Sequence, residues 1–163
     1  MKILGIDPGL TGSGFGCVES RDRAYYQLYA DTAAPAPQLP LPERLAALRN
    51  YTLEVLAALQ PEAVAVEAVF SHAEFPKTAL QMAQARGVIL EACAAAGTAV
   101  VEYAPRRVKQ AVVGAGGASK EQVARMVARH LNLTEPLASQ HEADALAVAL
   151  CAHFMRGRPA NSR

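Results

Sequence analysis

From about Pro42 onward the chain alternates helical and strand-like stretches, and this alternation constrains its fold more than any other feature of the sequence. Leu45, Leu48, Val55, Leu56 and Leu59 recur at helical spacing until Pro61 ends the pattern. Ala63-Val64-Ala65-Val66 follows, an apolar run of the kind found in buried strands. A long helix is predicted from near Pro76 to Ala96, stopped by Gly97, and another strand from Thr98 to Tyr103. Strands separated by helices pair side by side in parallel, with the helices crossing over the faces of the sheet. The first third of the chain differs. Lys2–Ile6, Ser13–Glu19 and Ala24–Asp31 read as three successive strands, the last two joined by a polar turn at Ser20-Arg21-Asp22-Arg23, and this suggests an antiparallel meander. A proline-rich loop spans residues 33–40. After Tyr103 come a basic segment beginning at Pro105 and a glycine-rich loop, Gly114-Ala115-Gly116-Gly117, expected to be flexible. Ser119 and Gln122 form a capping box that opens a helix to about Leu131, and a last helix runs from Ser139 to Phe154. The expected order is β-β-β-α-β-α-β-α-α: an α/β domain with a mixed five-stranded sheet and helices on both faces.

Composition bounds the rest. The 163 residues are 52% hydrophobic and 19% charged, enough for one domain with a core that needs no disulfide or metal staple. That domain is expected over residues 1–155, with 156–163 a flexible tail. A net charge of +1 excludes the global electrostatic footprint of a nucleic-acid binder, so an anionic partner has to be met by a local patch. Cys17, Cys93 and Cys151 are odd in number, far apart and set among apolar residues, as reduced, packed thiols are. The start of the chain lacks the pattern of a signal peptide, and Gly87–Val101, the most apolar stretch, is broken by Glu91. A soluble, cytoplasmic protein with no membrane partner is expected.

Two carboxylates stand at the ends of buried strands: Asp7 after Ile3-Leu4-Gly5-Ile6, and Glu67 after Ala63-Val64-Ala65-Val66. On parallel neighbouring strands both emerge at the carboxyl edge, where open α/β sheets bind ligands. Asp7 has the alternative role of shaping an Asp-Pro-Gly turn. Glu67 is harder to explain without a partner, because a buried carboxylate is costly unless paired. His141 and Asp144 are three residues apart, on one face of the last helix, with small apolar neighbours that suit close packing on the sheet. Taken alone, such a pair at the start of a helix is more often cap and surface than ligand, and it is the set of four residues that changes the weighing. Glu142 points about 100° away from His141 and is expected in solvent. Three carboxylates and an imidazole in one cleft repel one another unless cations fill it, and paired divalent ions ~3.5–4 Å apart are a recurring solution for phosphodiester cleavage. Hard oxygen donors suit Mg²⁺ or Mn²⁺. Arg106, Arg107, Lys109, Lys120, Arg125 and Arg129 flank the glycine loop as a basic lane, either phosphate contacts or an ordinary solvated face. Phe70 is either a core anchor or an aromatic that stacks on bases. Gly9, Gly12, Gly14 and Gly16 miss the dinucleotide-binding spacing and lead into a strand.

The blocks Gly5-Ile6-Asp7-Pro8-Gly9, Val66-Glu67-Ala68-Val69-Phe70, Gln84-Ala85-Arg86-Gly87, Val108-Lys109-Gln110-Ala111-Val112-Val113-Gly114 and Ala143-Asp144-Ala145-Leu146-Ala147 together resemble the RuvC family of bacterial Holliday-junction resolvases, and their order is kept from residue 3 to about 153. The resemblance implies an RNase H-like fold and a homodimer that cuts four-way DNA junctions by paired nicks, leaving 5′-phosphate and 3′-hydroxyl ends. It also implies two Mg²⁺ or Mn²⁺ ions per site and work beside the RuvA–RuvB branch-migration complex. Asp7, Glu67 and Asp144 match three metal-binding carboxylates of the family, and His141 falls where many members carry a fourth acidic ligand and some a histidine. Phe70 matches an aromatic near the exchange point, and Lys109 and Lys120 match lysines near DNA; Arg107 is added to the expected DNA contacts. An imidazole in place of a carboxylate is a softer, uncharged donor, which favours Mn²⁺. Other readings are a junction-binding module with vestigial chemistry, an RNase H-like enzyme acting on RNA, and, last, an actin-like phosphotransferase suggested by Gly5-Ile6-Asp7-Pro8-Gly9-Leu10-Thr11.

Overall fold

The structure, a computed structural model, describes residues 1–68 and 76–156. Phe70 and residues 157–163 of the expected tail lie outside the described residues. Strands β1 (Lys2–Asp7), β2 (Ser13–Arg21) and β3 (Ala24–Ala33) form the expected meander. The turn between β2 and β3 is tighter than expected: β2 runs on to Arg21, and only Asp22 and Arg23, both with positive φ (52° and 66°), reverse the chain. Helix α1 (Leu41–Leu59) leads into β4 (Ala63–Glu67), and α2 (Pro76–Ala95) leads into β5 (Val100–Tyr103). The sheet order is β3-β2-β1-β4-β5, with β1, β4 and β5 parallel.

Side chains alternate across β1, and each set finds its own layer. Leu4 and Ile6 join Phe15, Val64, Val66, Leu48 and Ile89 in the core between the sheet and α1 and α2. Ile3 joins Val18, Ala65, Val127, Leu146 and Leu150 in the core on the other face, under α4 (Lys120–His130) and α5 (Gln140–Met155). Helix α5 is apolar on nearly every side because it is enclosed; all residues from Ala145 to His153 are buried. Among the described residues no helix is long and apolar enough to cross a membrane.

Three expectations are corrected. The basic segment after Pro105 is a helix, α3 (Pro105–Val113), so the chain has five helices among the described residues where four were expected. Pro105 sits in the first turn, where its missing N–H breaks no bond, and Gly114 closes the helix with φ 88°. Val108 and Val112 are its buried residues, four apart at helical spacing among Arg106, Arg107, Lys109 and Gln110, a pattern confined to nine residues. The glycine loop, expected to be flexible, is fastened to α3. Gln110 Nε2 donates to Gly114 O (2.6 Å), Gly116 N donates to Gln110 Oε1 (3.1 Å), and the Arg106 stem lies over Gly116. Glu142, expected in solvent, is 8% exposed, and its Oε2 accepts from Ala138 N at 3.1 Å. It is the third residue of α5, and Ser139 Oγ accepts from its own N–H at 3.1 Å. The side chain thus turns back past the Ser139 cap and fastens the residue that precedes the helix. The capping box of α4 forms as expected, with Ser119 Oγ accepting from Gln122 N and Gln122 Oε1 from Ser119 N.

Candidate active site

The parallel pairing of β1 with β4 runs from Ile3 opposite Ala63 to Ile6 opposite Val66, so the next residues, Asp7 and Glu67, stand side by side at the carboxyl edge. By strand alternation Asp7 shares the face of Gly5 and Glu67 the face of Ala65, the face that α5 covers. Glycines let α5 come unusually near. A Cβ on Gly5 would lie 2.0 Å from Ala145 O, one on Gly14 1.9 Å from His141 O, and one on Gly16 2.8 Å from Leu146 N. Gly14 is the partner of Asp7 across β1 and β2, and Gly16 the partner of Gly5. The backbone of α5 therefore rests directly on the sheet, and its first turns carry His141 and Asp144 to the strand-end carboxylates.

The polar contacts follow from that approach. His141 Nδ1 lies 3.5 Å from Asp7 Oδ2, while the Nε2 side of the ring lies against Gly12. Asp144 receives Gln140 Nε2 on Oδ1 at 2.9 Å and pairs with Lys120 Nζ through Oδ2 at 3.3 Å. Thr32 Oγ1 and Ser139 Oγ, 2.7 Å apart, tie the end of β3 to the cap of α5. A cavity of about 380 Å³ opens over this edge, and Asp7, Glu67, Lys109, Lys120, His141 and Asp144 all line it.

Burial, then the neighbouring Asp7 and Asp144 charges, push the Glu67 carboxyl up to about 8. The hydrogen bond to Asp7 raises the His141 imidazole above its ordinary value, against the effect of burial. Burial works against the Lys120 ammonium, but Asp144 together with Asp7 and Glu67 outweighs it and the net shift is upward.

This is a cleft with more negative charge than it can bear unaided. Asp144 is engaged by Lys120 and Gln140, and no three His, Cys, Asp or Glu side chains among the described residues are gathered tightly enough to enclose an ion as posed. The donor chemistry nonetheless fits a divalent cation: three carboxylates and one imidazole on one cavity wall, with the half-buried Glu67 carboxyl held toward its protonated form by desolvation and then by the Asp7 and Asp144 charges. Lys109 and Lys120 line the same cavity and bring two ammonium groups to it.

Comparison with known proteins decides the family. The profile of the family described as "Crossover junction endodeoxyribonuclease RuvC" matches residues 3–153. The chain belongs to the RuvC family. A relative of that description from Moorella thermoacetica is 49% identical over 152 residues, 93% of this chain and 90% of the relative. One from Syntrophomonas wolfei is 44% identical over 93% of this chain and 87% of the relative. The structure of Thermus thermophilus RuvC in complex with a Holliday-junction substrate superposes with a TM-score of 0.88 at 41% identity, covering 94% of this chain and 93% of that one. The five-stranded sheet described above is accordingly the RNase H-like fold of RuvC.

Of the residues singled out in the sequence for a RuvC-type site, six line the one cavity. Arg107 does not: its Nε donates to Met155 Sδ at 3.1 Å, at the opposite end of α5 from His141. Sequence reasoning missed Gln140, although its i, i+4 spacing to Asp144 was visible. It also considered Gly14 and Gly16 only for dinucleotide binding, whereas their alternate spacing on one strand face was the available signal of close helix packing.

Proposed function

We propose that this chain is a structure-specific endonuclease that resolves four-way DNA junctions by paired, symmetric nicks, leaving 5′-phosphate and 3′-hydroxyl ends. The observation that carries this reading is the meeting of Asp7, Glu67, His141 and Asp144 on one cavity at the carboxyl edge of the parallel strands, in a chain of the RuvC family. Residues 1–155 constitute the nuclease domain and 156–163 a tail.

Asp7, Glu67, His141 and Asp144 are the ligands for Mg²⁺ or Mn²⁺, two ions per site, with Mn²⁺ favoured because His141 replaces a hard, charged donor with a softer neutral one. Divalent cations supply water activation and stabilisation of the leaving oxygen. The chain's own groups do the rest. Lys109 and Lys120 hold the phosphate, and the cavity wall orients it against the carboxylates. Phe70, just beyond β4, contacts an unstacked base near the exchange point. Two chains act as a homodimer, since a two-fold pair of sites suits a nearly two-fold junction. The enzyme works in the bacterial cytoplasm beside the RuvA–RuvB complex.

The experiment is a comparison of substrates. A synthetic four-way junction, a matched linear duplex and a structured RNA are offered in excess enzyme with Mg²⁺ or Mn²⁺. Cleavage restricted to the junction is the expected outcome. Preferential cleavage of RNA supports the RNA-acting alternative, and junction binding without cleavage reduces the chain to a binding module.

A further inference from the structure

We infer that Gln140 is a positioning residue that fixes which oxygen of Asp144 is offered to the cleft. The inference rests on the reading of Asp144 as a metal ligand. Gln140 is the first residue of α5 and Asp144 lies one turn on, the spacing at which helical side chains meet. Gln140 Nε2 donates to Asp144 Oδ1 at 2.9 Å, and Asp144 Oδ2 faces Lys120 Nζ at 3.3 Å. Lys120 and Asp144 line the catalytic cavity. Gln140 does not; it faces a separate groove with Arg125 and Ala143. It therefore reaches the site only through Asp144.

A carboxylate turns about its Cβ–Cγ bond in a broad, two-fold well, so its two oxygens exchange unless something distinguishes them. The Gln140 amide does so from behind. It holds Oδ1 on the outer side and leaves Oδ2 as the oxygen toward the cavity, which makes Asp144 a one-oxygen ligand with a defined direction. Partners that orient metal ligands in this way typically change affinity about 10–100-fold when removed.

Gln140→Met keeps the side chain's length and the helix propensity and removes the donor. Mn²⁺ binding to the DNA-free protein is followed by the electron paramagnetic resonance signal of free Mn²⁺, beside a melting curve in chelator and a cleavage titration in Mn²⁺. The expected result is a Mn²⁺ dissociation constant raised about 10–100-fold, an unchanged melting temperature, and cleavage restored by added Mn²⁺. Wild-type Mn²⁺ affinity overturns the inference. So does a loss of cleavage that excess Mn²⁺ fails to restore and that tracks a lower melting temperature. Asp144→Asn separates the two levels. If it too binds Mn²⁺ like the wild type, the metal assignment fails and the role of Gln140 with it; if it loses Mn²⁺ while Gln140→Met does not, only the inference falls.

Discussion

Gly14→Ala tests how the site is assembled, because it perturbs the spacing of α5 over the sheet without altering any polar side chain. The added Cβ would stand 1.9 Å from His141 O and 2.6 Å from His141 C, against the 3.0 Å below which real Cβ atoms essentially never fall. Both atoms are backbone in the first turn of α5, so no side chain can swing aside. The turn has to lift by about 1 Å or more, and it carries His141 away from Asp7, now 3.5 Å distant. Overpacking of this kind costs about 1–3 kcal/mol, which in a domain of this size lowers the melting temperature by roughly 2–4 °C per kcal/mol. Activity suffers more than stability, since a ~1 Å misplacement of reacting groups costs about 100-fold in rate. The assays are a melting curve and single-turnover junction cleavage well below the melting temperature. An alanine variant with unchanged melting and unchanged cleavage would refute the direct contact between α5 and β2.

Three further outcomes are expected. Burial beside Asp7 and Asp144 raises Glu67 to about 8, so the metal-free fold favours its neutral form; that contribution is fully present below the ordinary value of 4.5 and is lost as pH rises through 8. In chelator at pH 9, Glu67→Gln should accordingly be more stable than the wild type by roughly 1–3 kcal/mol, with little difference at pH 4; urea titrations at the two pH values check this, and equal stability at pH 9 contradicts it. The wild type should cleave faster in Mn²⁺ than in Mg²⁺ at saturation, and His141→Asp should narrow that gap; rates in Mg²⁺ equal to or above those in Mn²⁺ for the wild type count against His141 as a ligand. Lys109→Ala should weaken junction binding and reduce the slope of log K against log salt by about 1; an unaltered slope removes Lys109 from the phosphate contacts.

The parts of the fold visible in the sequence are those in which one local pattern decides. The apolar runs ending in Asp7 and Glu67 announce buried parallel strands and their carboxyl edge, because a strand's periodicity and a turn residue lie within six positions of each other. The Ser119/Gln122 box is likewise local, and it forms. Helix α3 is hard to see because it is only nine residues long: Val108 and Val112 do stand at helical spacing, but two positions make too short a pattern to set a basic segment apart from a loop. The glycines of β2 miss the dinucleotide-binding spacing, and the sequence offers no other local use for them. Their use is a contact with α5 about 130 residues away, which no short window contains. Glu142 was misplaced for a related reason: angular position on a helix says nothing about a side chain that folds back over its own first turn. Within the site, residue types and spacing brought the carboxylates and His141 to notice, but Gln140 and Thr32 have their meaning only through Asp144 and Ser139.

The most direct measurement is strand-by-strand mapping of cleavage in a synthetic four-way junction with Mg²⁺ or Mn²⁺, beside the Asp7→Asn variant. Nicks at symmetric positions in two strands of like polarity, ending in 5′-phosphates and lost in Asp7→Asn, are the expected result. Cleavage that persists in Asp7→Asn, or falls equally on linear duplex, would contradict the assignment of this cleft as the site of junction resolution.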